Sequence, residues 1–315
     1  MVLADGVWGP GYERLQARHR VRRLARPATP ADVTDADALV VRNRTRVDRA
    51  LLAAAPGLVI VARAGAGLDN IDVAAADELG VVVAAAPGVN AVSVAEHTIG
   101  LALALARRTV ALDRSVRSGG WDRTPGRELT GGVWGLIAAG ATGRATGRLA
   151  AALGMTVIGY DPYLDPDDPR LAAAHVRLGP LQDVLAADVI SVHLPATPET
   201  AGLVGEDLLS RVRPGALLIN VGRGDTLDEA ALVRALRVGR LAGAALDVRT
   251  AEPPAIGELE GLPNVLLTPH IAGITDASQA RIADVVREAL DAVLSGGAAP
   301  NPATRADRPR RRGAR

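Results

Sequence analysis

Short apolar runs alternate with amphipathic segments over residues 133–270, and this alternation restricts the chain to few folds. The runs are rich in Val, Ile, Leu and Ala and are too short for helices, so each predicts a strand buried on both faces. They lie at 133–139, 156–160, 188–194, 216–221, 241–248 and 264–268. Helices are predicted between them at 143–153, 181–186, 206–212 and 229–237. Such alternation predicts right-handed βαβ units and a parallel sheet.

A second, smaller alternation precedes this one. Strands are predicted at 39–42, 58–62 and 81–84, and helices at 48–54 and 73–79. A long helix over 92–118, apolar through Ile99 to Leu105, is expected to bridge the two patterns. An amphipathic helix over 278–294 is expected to return and pack on the first domain. A length of 315 residues is typical of two domains.

The composition excludes several classes of protein. No Cys is present, so disulfide scaffolds, thiolate metal sites and cysteine nucleophiles are excluded. All 36 basic residues are Arg, which excludes a Schiff-base lysine. The apolar stretch 98–106 is far shorter than the roughly 20 residues of a membrane span, and we see no signal-peptide pattern. With no segment long enough to span a membrane, no membrane partner is expected. An aromatic content of 2% argues against base stacking, so no nucleic-acid partner is expected either.

The most informative motif runs from Gly135 to Arg144 (GLIAAGATGR), after a predicted strand and at the start of a predicted helix. Asp161 follows 18 residues after Gly143, at the end of the next predicted strand. Together they resemble the dinucleotide fingerprint, in which backbone approaches a pyrophosphate and an acid binds the ribose. The first fingerprint glycine is replaced by Ala138, which we expect to hold a negative φ. Asp161 would repel a 2′-phosphate, so NAD is favoured over NADP.

We therefore predict an α/β protein with two Rossmann-like or flavodoxin-like domains that have parallel sheets, and a cofactor cleft between them. The substrate-binding domain is discontinuous and takes residues 1–92 and 279–296. The NAD-binding domain takes residues 93–278. Residues 297–315 are predicted to be a disordered basic tail, because residues 296–315 hold six Arg and one Asp without apolar periodicity.

A second glycine-rich segment, Gly65 to Asn70 (GAGLDN), also follows a predicted strand. Its third glycine is missing, and no acid ends a following strand at the right distance. We interpret it as a tight turn of the first domain.

Polar residues end four of the predicted strands of the second domain: His193, Arg223, Asp247 and His270. Ligands of open parallel sheets bind at the carboxyl ends of the strands, so these side chains are expected to converge on one cleft. Each alone could be an ordinary cap or turn residue.

Five histidines compete for an acid–base role. His19 and His175 are predicted to lie on the surface, and His97 to be packed within the long helix. His193 is expected to line the cofactor cleft through its backbone. His270 is favoured, because Pro269 and Gly273 fix its backbone and Glu252 is pinned on a nearby loop. A carboxylate beside an imidazole orients it and favours its protonated form, as proton transfer requires.

With these motifs the sequence resembles the D-isomer-specific 2-hydroxyacid dehydrogenases, most of all the short D-3-phosphoglycerate dehydrogenases that have no regulatory domain. The likeness runs from about residue 39 to 294. Besides the fingerprint, it rests on segments GAGLDNID (65–72), AEHT (95–98), HLPATPET (193–200), NVGRG (220–224), LDV with EPP (246–248, 252–254) and TPHIAG (268–273).

The resemblance implies which residues act, and no metal. The catalytic residues would be Arg223, Glu252 and His270. The cofactor would contact Gly140, Ala141, Thr142, Gly143, Asp161, Leu194, Pro195, Thr200, Val221, Asp247 and Gly273. The substrate would contact Arg42, Arg63, Ala64, Gly65, Arg223 and His270.

The resemblance also implies an NAD-dependent oxidoreductase acting on a small anionic substrate. Hydride would pass between the nicotinamide and a D-2-hydroxy acid/2-oxo acid pair, with His270 as proton donor and Arg223 holding the carboxylate. The favoured pair is 3-phosphoglycerate/3-phosphohydroxypyruvate. Reduction of glyoxylate, hydroxypyruvate or another 2-oxo acid, including a phosphonate, is the alternative. The resemblance further implies a cytoplasmic homodimer that uses the long helix, without serine feedback through a regulatory domain.

Some residues depart from the family pattern: Ala138 replaces Gly, Ala64 and Ala91 stand where Ser is frequent, and Arg249 stands where an aromatic is frequent. Some relatives with this fold sense NAD without catalysis, and Ala138 leaves that alternative open. The presence of Arg223, Glu252 and His270 favours an enzyme.

Overall fold

The structure, a computed structural model, describes residues 1–305 and divides into two α/β units. Unit 1 takes Met1–Asn90 and the chain from Ile274 onward, and unit 2 takes Ala91–Gly273. The N-terminal unit is therefore discontinuous in sequence, with boundaries a few residues from those expected. Both units have parallel sheets, so the predicted α/β class is confirmed.

Unit 1 is built on a five-stranded parallel sheet with the order β2-β1-β3-β4-β5. Its strands are β1 (Val2–Leu3), β2 (Arg22–Arg23), β3 (Ala38–Val41), β4 (Ile60–Arg63) and β5 (Val82–Ala84). The three strands expected from apolar runs are present. Strands β1 and β2 were not predicted, because two residues are too few to show a pattern.

Short helices cover this sheet: α1 (Pro10–Gln16), α2 (Pro30–Val33), α3 (Arg49–Ala53) and α4 (Val73–Glu78). The helix expected at 278–294 spans Asp276–Leu294 and packs in this unit, as predicted; it is α12 in chain order. Gly11 of α1 lies so close to the backbone of Ala283 that a Cβ would collide with it.

Part of the predicted disordered tail is ordered. Pro302 bridges Ala84 at the end of β5, and the N–H of Ala303 donates to the carbonyl of Val83 at 2.8 Å. The hydroxyl of Thr304 accepts from the N–H of Val83 at 2.9 Å. These contacts satisfy backbone groups of an edge strand, which composition alone could not reveal. The rest of the predicted tail, residues 306–315, lies outside the described residues.

Unit 2 is built on a seven-stranded parallel sheet with the order β12-β11-β10-β9-β6-β7-β8. Its strands are β6 (Val133–Ile137), β7 (Thr156–Tyr160), β8 (Val176–Leu178), β9 (Val189–Val192), β10 (Ala216–Asn220), β11 (Leu241–Leu246) and β12 (Val265–Leu267). All six strands expected here are present. Leu218 enters the core on one face of the sheet, and Leu217 and Ile219 enter the core on the other. Burial on both faces explains why these strands are uniformly apolar.

The helices of unit 2 are α5 (Ala91–Ala106), α6 (Thr109–Arg117), α7 (Ala141–Ala152), α8 (Pro169–Ala172), α9 (Leu181–Leu185), α10 (Glu206–Arg211) and α11 (Glu229–Arg237). Among residues 1–305, no helix is both long and apolar enough to cross a membrane.

The expectation of one helix over 92–118 is wrong, since the helix is interrupted between α5 and α6. Arg108 adopts a left-handed conformation, with φ of 54°. The carbonyl of Ala106 accepts from the N–H of Arg127 at 3.0 Å instead of continuing the helical ladder. Apolar burial also stops here: Ala106 is buried, whereas α6 has no buried residue.

Candidate active site

The carboxyl edge of three neighbouring strands of unit 2 carries the polar residues singled out in the sequence. Arg223 follows β10, Asp247 follows β11 and His270 follows β12. These strands are adjacent, in the order β12-β11-β10. Glu252 lies on the loop after β11. Parallel strand direction therefore places all four residues at one edge.

His270 and Glu252 form a hydrogen-bonded pair. Nδ1 of His270 lies 2.7 Å from Oε2 of Glu252, and both side chains are one-third exposed. Burial alone would raise the pKa of Glu252. Hydrogen bonds from His270 and from the backbone N–H of Arg249 (3.2 Å) outweigh burial, so this pKa lies below its ordinary value. With Nδ1 engaged, Nε2 is the ring atom left to exchange a proton with a ligand.

The backbone of His270 is left-handed, with φ of 55°. This conformation raises the free energy of any residue that has a Cβ, so contacts with the surrounding structure must hold His270 in it. The N–H of His270 donates to the carbonyl of Asp247 at 2.7 Å. The two sheet-edge loops are thus tied together at the histidine itself.

The Asp247 side chain holds the rest of the His270 loop. It is 1% exposed and accepts from the hydroxyl of Thr268 (2.6 Å) and from the N–H groups of Ile271 (2.9 Å) and Ala272 (2.8 Å). Burial alone would raise the pKa of Asp247, but these donors and His97 together hold it below its ordinary value. Both oxygens have partners within unit 2, and the expected contact of Asp247 with the cofactor stays a prediction.

His97 belongs to this network, so the packed histidine expected in the long helix is half-buried and hydrogen-bonded. Its Nε2 lies 3.1 Å from the hydroxyl of Thr268 and 3.6 Å from Asp247, with 23% of the side chain exposed. Since Thr268 donates to Asp247, its oxygen accepts from His97. The segment AEHT (95–98), already part of the resemblance, was the available signal.

The other histidines take no part in this network. Burial lowers the pKa of His193 to about 3, so its ring is neutral near pH 7. Its Nε2 lies 3.0 Å from the Ser191 hydroxyl, which accepts from the indole of Trp134. His175 is exposed, as expected. His19, also expected at the surface, is half-buried: 19% of its side chain is exposed, and its Nε2 lies 3.6 Å from Asp291.

Arg223 sits on a loop that its neighbours fix firmly. The Asn220 amide and the Thr226 hydroxyl donate to its carbonyl at 3.1 Å and 2.6 Å. Its Nη1 donates to the carbonyl of Gly222 at 2.8 Å. A Cβ on Gly224 would collide with the backbone of Arg249. The Arg223 loop and the start of the Glu252 loop therefore pack backbone to backbone.

The turn between β6 and α7 has the features of a dinucleotide-binding turn. A Cβ on Gly143 would collide with the carbonyl of Ala138, so only glycine fits. Helix α7 has no side-chain cap at Gly140, which leaves the first-turn N–H groups of Ala141 and Thr142 available to phosphate oxygens. These residues fit the pyrophosphate of a dinucleotide.

The expectation of a negative φ at Ala138 is wrong, because φ is 72° there. The tight strand-to-helix turn demands the left-handed region, which costs alanine about 1–2 kcal/mol. Ala138 therefore carries backbone strain at the site of the first fingerprint glycine.

We expect Ala138→Gly to stabilise the protein. Relief of the left-handed strain exceeds the added freedom of glycine in the unfolded chain by up to about 1 kcal/mol. That gain would raise the Tm by at most about 2–4 °C, measured by calorimetry. NADH affinity should change by less than about tenfold. The matched control is Ala139→Gly, at a buried position without positive φ, which should lower the Tm. A Tm for Ala138→Gly below that of the wild type would contradict the inference that Ala138 is strained.

Asp161 stands directly after β7, where the fingerprint places its acid. Its carboxylate accepts from the N–H groups of Ala139 (3.0 Å) and Tyr163 (3.1 Å). The side chain is thus anchored beside the dinucleotide turn, and its negative charge suits ribose hydroxyls better than a phosphate.

The remaining expected cofactor residues lie on neighbouring loops of unit 2. Leu194 follows β9 and Val221 follows β10, and a Cβ on Gly222 would collide with the Leu194 backbone. The Thr200 hydroxyl donates to the carbonyl of Pro195 at 2.7 Å and so closes the loop after β9. Gly273 is the last residue of unit 2. Their contact with a cofactor stays a prediction.

The expected substrate residues outside unit 2 form a group within unit 1. Arg42 follows β3 and Arg63 ends β4, the neighbouring strand. Ala64 donates to the carbonyl of Val41 at 2.7 Å. Gly65 has φ of 153°, and the guanidinium of Arg63 lies where a Cβ of Gly65 would be. The expected turn at 65–70 is therefore present, and it holds an arginine against its backbone.

A dinucleotide turn at one part of a parallel sheet, with an imidazole–carboxylate pair at the same carboxyl edge, defines a dinucleotide-dependent α/β protein with acid–base groups. The family described as D-isomer specific 2-hydroxyacid dehydrogenase, NAD binding domain, matches residues 99–272. The chain belongs to the D-isomer-specific 2-hydroxyacid dehydrogenase family, and unit 2 contains its NAD-binding domain.

Individual relatives agree with this assignment. The D-3-phosphoglycerate dehydrogenase of Mycobacterium tuberculosis (strain ATCC 25618 / H37Rv) is 44% identical over 274 residues, which are 86% of this chain and 52% of that protein. The chain thus spans about half the length of the curated relatives it matches. The crystal structure of a protein from Thermus thermophilus has a TM-score of 0.88 at 35% identity, covering 96% of this chain and 99% of that one.

A further solved structure is the NADPH-dependent glyoxylate/hydroxypyruvate reductase of Sinorhizobium meliloti, in complex with NADP and malonate. Its TM-score is 0.85 at 34% identity, covering 100% of this chain and 99% of that one. The cofactor of the present family domain is NAD. This relative shows that some proteins of the fold take NADP instead.

Proposed function

We propose that the protein is an NAD-dependent oxidoreductase that interconverts a D-2-hydroxy acid and its 2-oxo acid. The carrying observation is the 2.7 Å bond between His270 and Glu252 at the sheet edge that also bears Arg223. An acid–base imidazole, an oriented carboxylate and a planar cation are the groups that carbonyl reduction requires. Bound NADH supplies the hydride for reduction, and NAD accepts it in oxidation.

The residues of the chain divide the remaining work. Arg223 binds the substrate carboxylate through two parallel N–H donors and polarises the adjacent carbonyl. His270 donates a proton from Nε2 to the carbonyl oxygen during reduction and accepts one from the hydroxyl during oxidation. Glu252 orients the imidazole and stabilises its charged form through Nδ1. Asp247 keeps the histidine loop in place.

The substrate we propose is 3-phosphoglycerate, or 3-phosphohydroxypyruvate in the reverse direction. Relatives of that name are 44% identical to the chain, and Arg42 and Arg63 supply two cations at adjacent strand ends of unit 1. Two guanidinium groups suit a phosphate dianion. Glyoxylate or hydroxypyruvate is the second candidate, favoured by the reductase of that name that matches the whole chain.

The test is NADH oxidation with a panel of 3-phosphohydroxypyruvate, hydroxypyruvate, glyoxylate and pyruvate. The highest kcat/KM is expected for 3-phosphohydroxypyruvate. Arg42→Met and Arg63→Met should each lower kcat/KM for this substrate but leave kcat/KM for glyoxylate unchanged. Equal loss for both substrates would contradict the phosphate role of these arginines. If NADH binds but no 2-oxo acid is reduced, the enzyme proposal fails and NAD sensing replaces it.

Cofactor choice should follow the charge of Asp161. Wild type should prefer NADH to NADPH in kcat/KM, and Asp161→Ser and Asp161→Asn should narrow that preference by about tenfold or more, because each removes the charge that repels a 2′-phosphate. Asp161→Asn keeps the shape of the side chain, and Asp165→Asn is the control for charge alone. Equal wild-type use of both cofactors would refute this role.

We further propose that the protein is a cytoplasmic homodimer. Among the α5 residues expected at the interface, Ile99, Leu101 and Ala102 are buried within unit 2 itself. Leu103 of α5 and Val116 of α6 remain exposed, at 39% and 52%, and each supports a partner at its own helix. A monomer at micromolar concentration in sedimentation would contradict the dimer.

A further inference from the structure

The Arg249 side chain is clamped between two carboxylates beside the His270–Glu252 pair. Its Nε and Nη2 donate to the two oxygens of Glu229 at 2.9 Å each, and its Nη1 donates to Glu260 at 2.6 Å. Only 9% of the Arg249 side chain is exposed. A fork–fork pair with Glu229 has fixed geometry, unlike most surface ion pairs.

Both carboxylates are held in the charged form by this guanidinium. Hydrogen bonding from Arg249 lowers the pKa of Glu260 to about 2 and also lowers the pKa of Glu229. Removing the guanidinium would leave two like charges close together without a counter-ion. Since both carboxylates are charged near pH 7, their ion pairs with Arg249 are present at that pH.

The two carboxylates also bind the backbone at both ends of the Glu252 loop. Glu229, at the start of α11, accepts from the N–H of Thr250 at 3.2 Å. Glu260 accepts from the N–H of Gly257 at 2.8 Å. Residues 250–258 are exposed, and Leu259 is the next buried residue, so little apolar packing holds this loop. Its position depends on polar ties.

Arg249 touches the proposed machinery on two sides. The backbone N–H of Arg249 donates to Oε1 of Glu252 at 3.2 Å. The backbone carbonyl of Arg249 packs against Gly224, next to Arg223. Arg249, Glu252, Glu260 and His270 also line one cavity of about 360 Å³. A shift of Arg249 would therefore move the carboxylate that orients the histidine.

We propose that Arg249 is a positioning residue: its clamp on Glu229 and Glu260 sets the place of Glu252, and through it the proton transfer at His270. This inference rests on the proposed function, since it concerns the same site. Misplacement of a catalytic group by about 1 Å can cost on the order of a hundredfold in rate. Loss of groups that orient a site typically costs about tenfold to a hundredfold.

The test compares Arg249→Met with wild type in reduction of the best 2-oxo acid of the panel. Met keeps the length of the side chain but forms no ion pair. We expect kcat to fall by about tenfold to a hundredfold, with KM for NADH within about twofold. The pH profile of reduction should change in the same way as in Glu252→Gln, because both variants disturb the contact between Glu252 and Nδ1 of His270.

The matched control is Arg234→Met, in the same helix as Glu229. Arg234 pairs with Glu206 across an exposed surface, so its loss should leave kcat and the pH profile unchanged. If Arg249→Met does not fold, Glu229→Gln replaces it, with the same direction of change expected.

Two outcomes would overturn the inference and are distinguishable. If wild type reduces a 2-oxo acid while Arg249→Met, or Glu229→Gln in its place, keeps the wild-type kcat and pH profile and loses only Tm, Arg249 is merely structural. If wild type reduces none of them, the proposed function fails and this inference fails with it.

Discussion

His270→Gln should lower kcat by about 10²–10⁴ while NADH still binds. A positioned acid–base group is worth this range, and glutamine can donate a hydrogen bond but cannot transfer a proton near pH 7. NADH binding should persist, because the dinucleotide turn at Gly143 follows β6 and the acid Asp161 follows β7, and both strands lie away from β12 in the strand order. Steady-state turnover and calorimetric titration of NADH measure the two effects.

His175→Gln is the matched control for this substitution. His175 has the same left-handed φ of 55° but is exposed and lies before β8. Any strain caused by glutamine at a left-handed position therefore appears in both variants, and the loss of turnover in one. His97→Gln is unsuitable, because His97 contacts Thr268 in the Asp247 network. Near-wild-type turnover by His270→Gln would exclude His270 as the acid–base residue.

The sequence predicted the sheet of unit 2 well because its signal was simple. A strand buried on both faces must be apolar at every position, so the run containing Leu217, Leu218 and Ile219 could be recognised without knowledge of its neighbours. Once the strands were known to be parallel, the residues after them had to share one edge. That reasoning brought Arg223, Asp247 and His270 together before any geometry was known.

Contacts between residues distant in sequence, and the sign of φ at individual residues, were not predictable in this way. The left-handed φ of Ala138 depends on the close approach of Gly143, and a sequence records no φ. The break after Ala106 depends on Arg127, a residue outside either helix. The clamp of Arg249 needs Glu229, 20 residues earlier in the chain. Charged residues give no periodicity that would link such positions.

Asp247→Ala should have the largest effect on stability. It removes the acceptor of two N–H groups and of the Thr268 hydroxyl at a side chain that is 1% exposed. Buried donors left without partners cost about 1–3 kcal/mol each, and partial relaxation of the loop leaves a net loss of about 2–4 kcal/mol. The Tm should fall by about 4–16 °C. Because the same loop holds His270 in a left-handed conformation, kcat should fall as well.

The pH dependence separates this role of Asp247 from simple loss of packing. The pKa of Asp247 lies below its ordinary value of 3.8, so the charged carboxylate stabilises the folded state at all pH values above that. Its contribution is lost as the pH falls through the lowered value, and the Tm difference between wild type and Asp247→Ala should shrink there. Asp228→Ala, which removes one acceptor at the cap of α11, should cost only about 1 kcal/mol and leave kcat unchanged. A Tm difference for Asp247→Ala that is as small as this control, or constant down to the most acidic pH, would show that the His270 loop holds its left-handed conformation without the carboxylate.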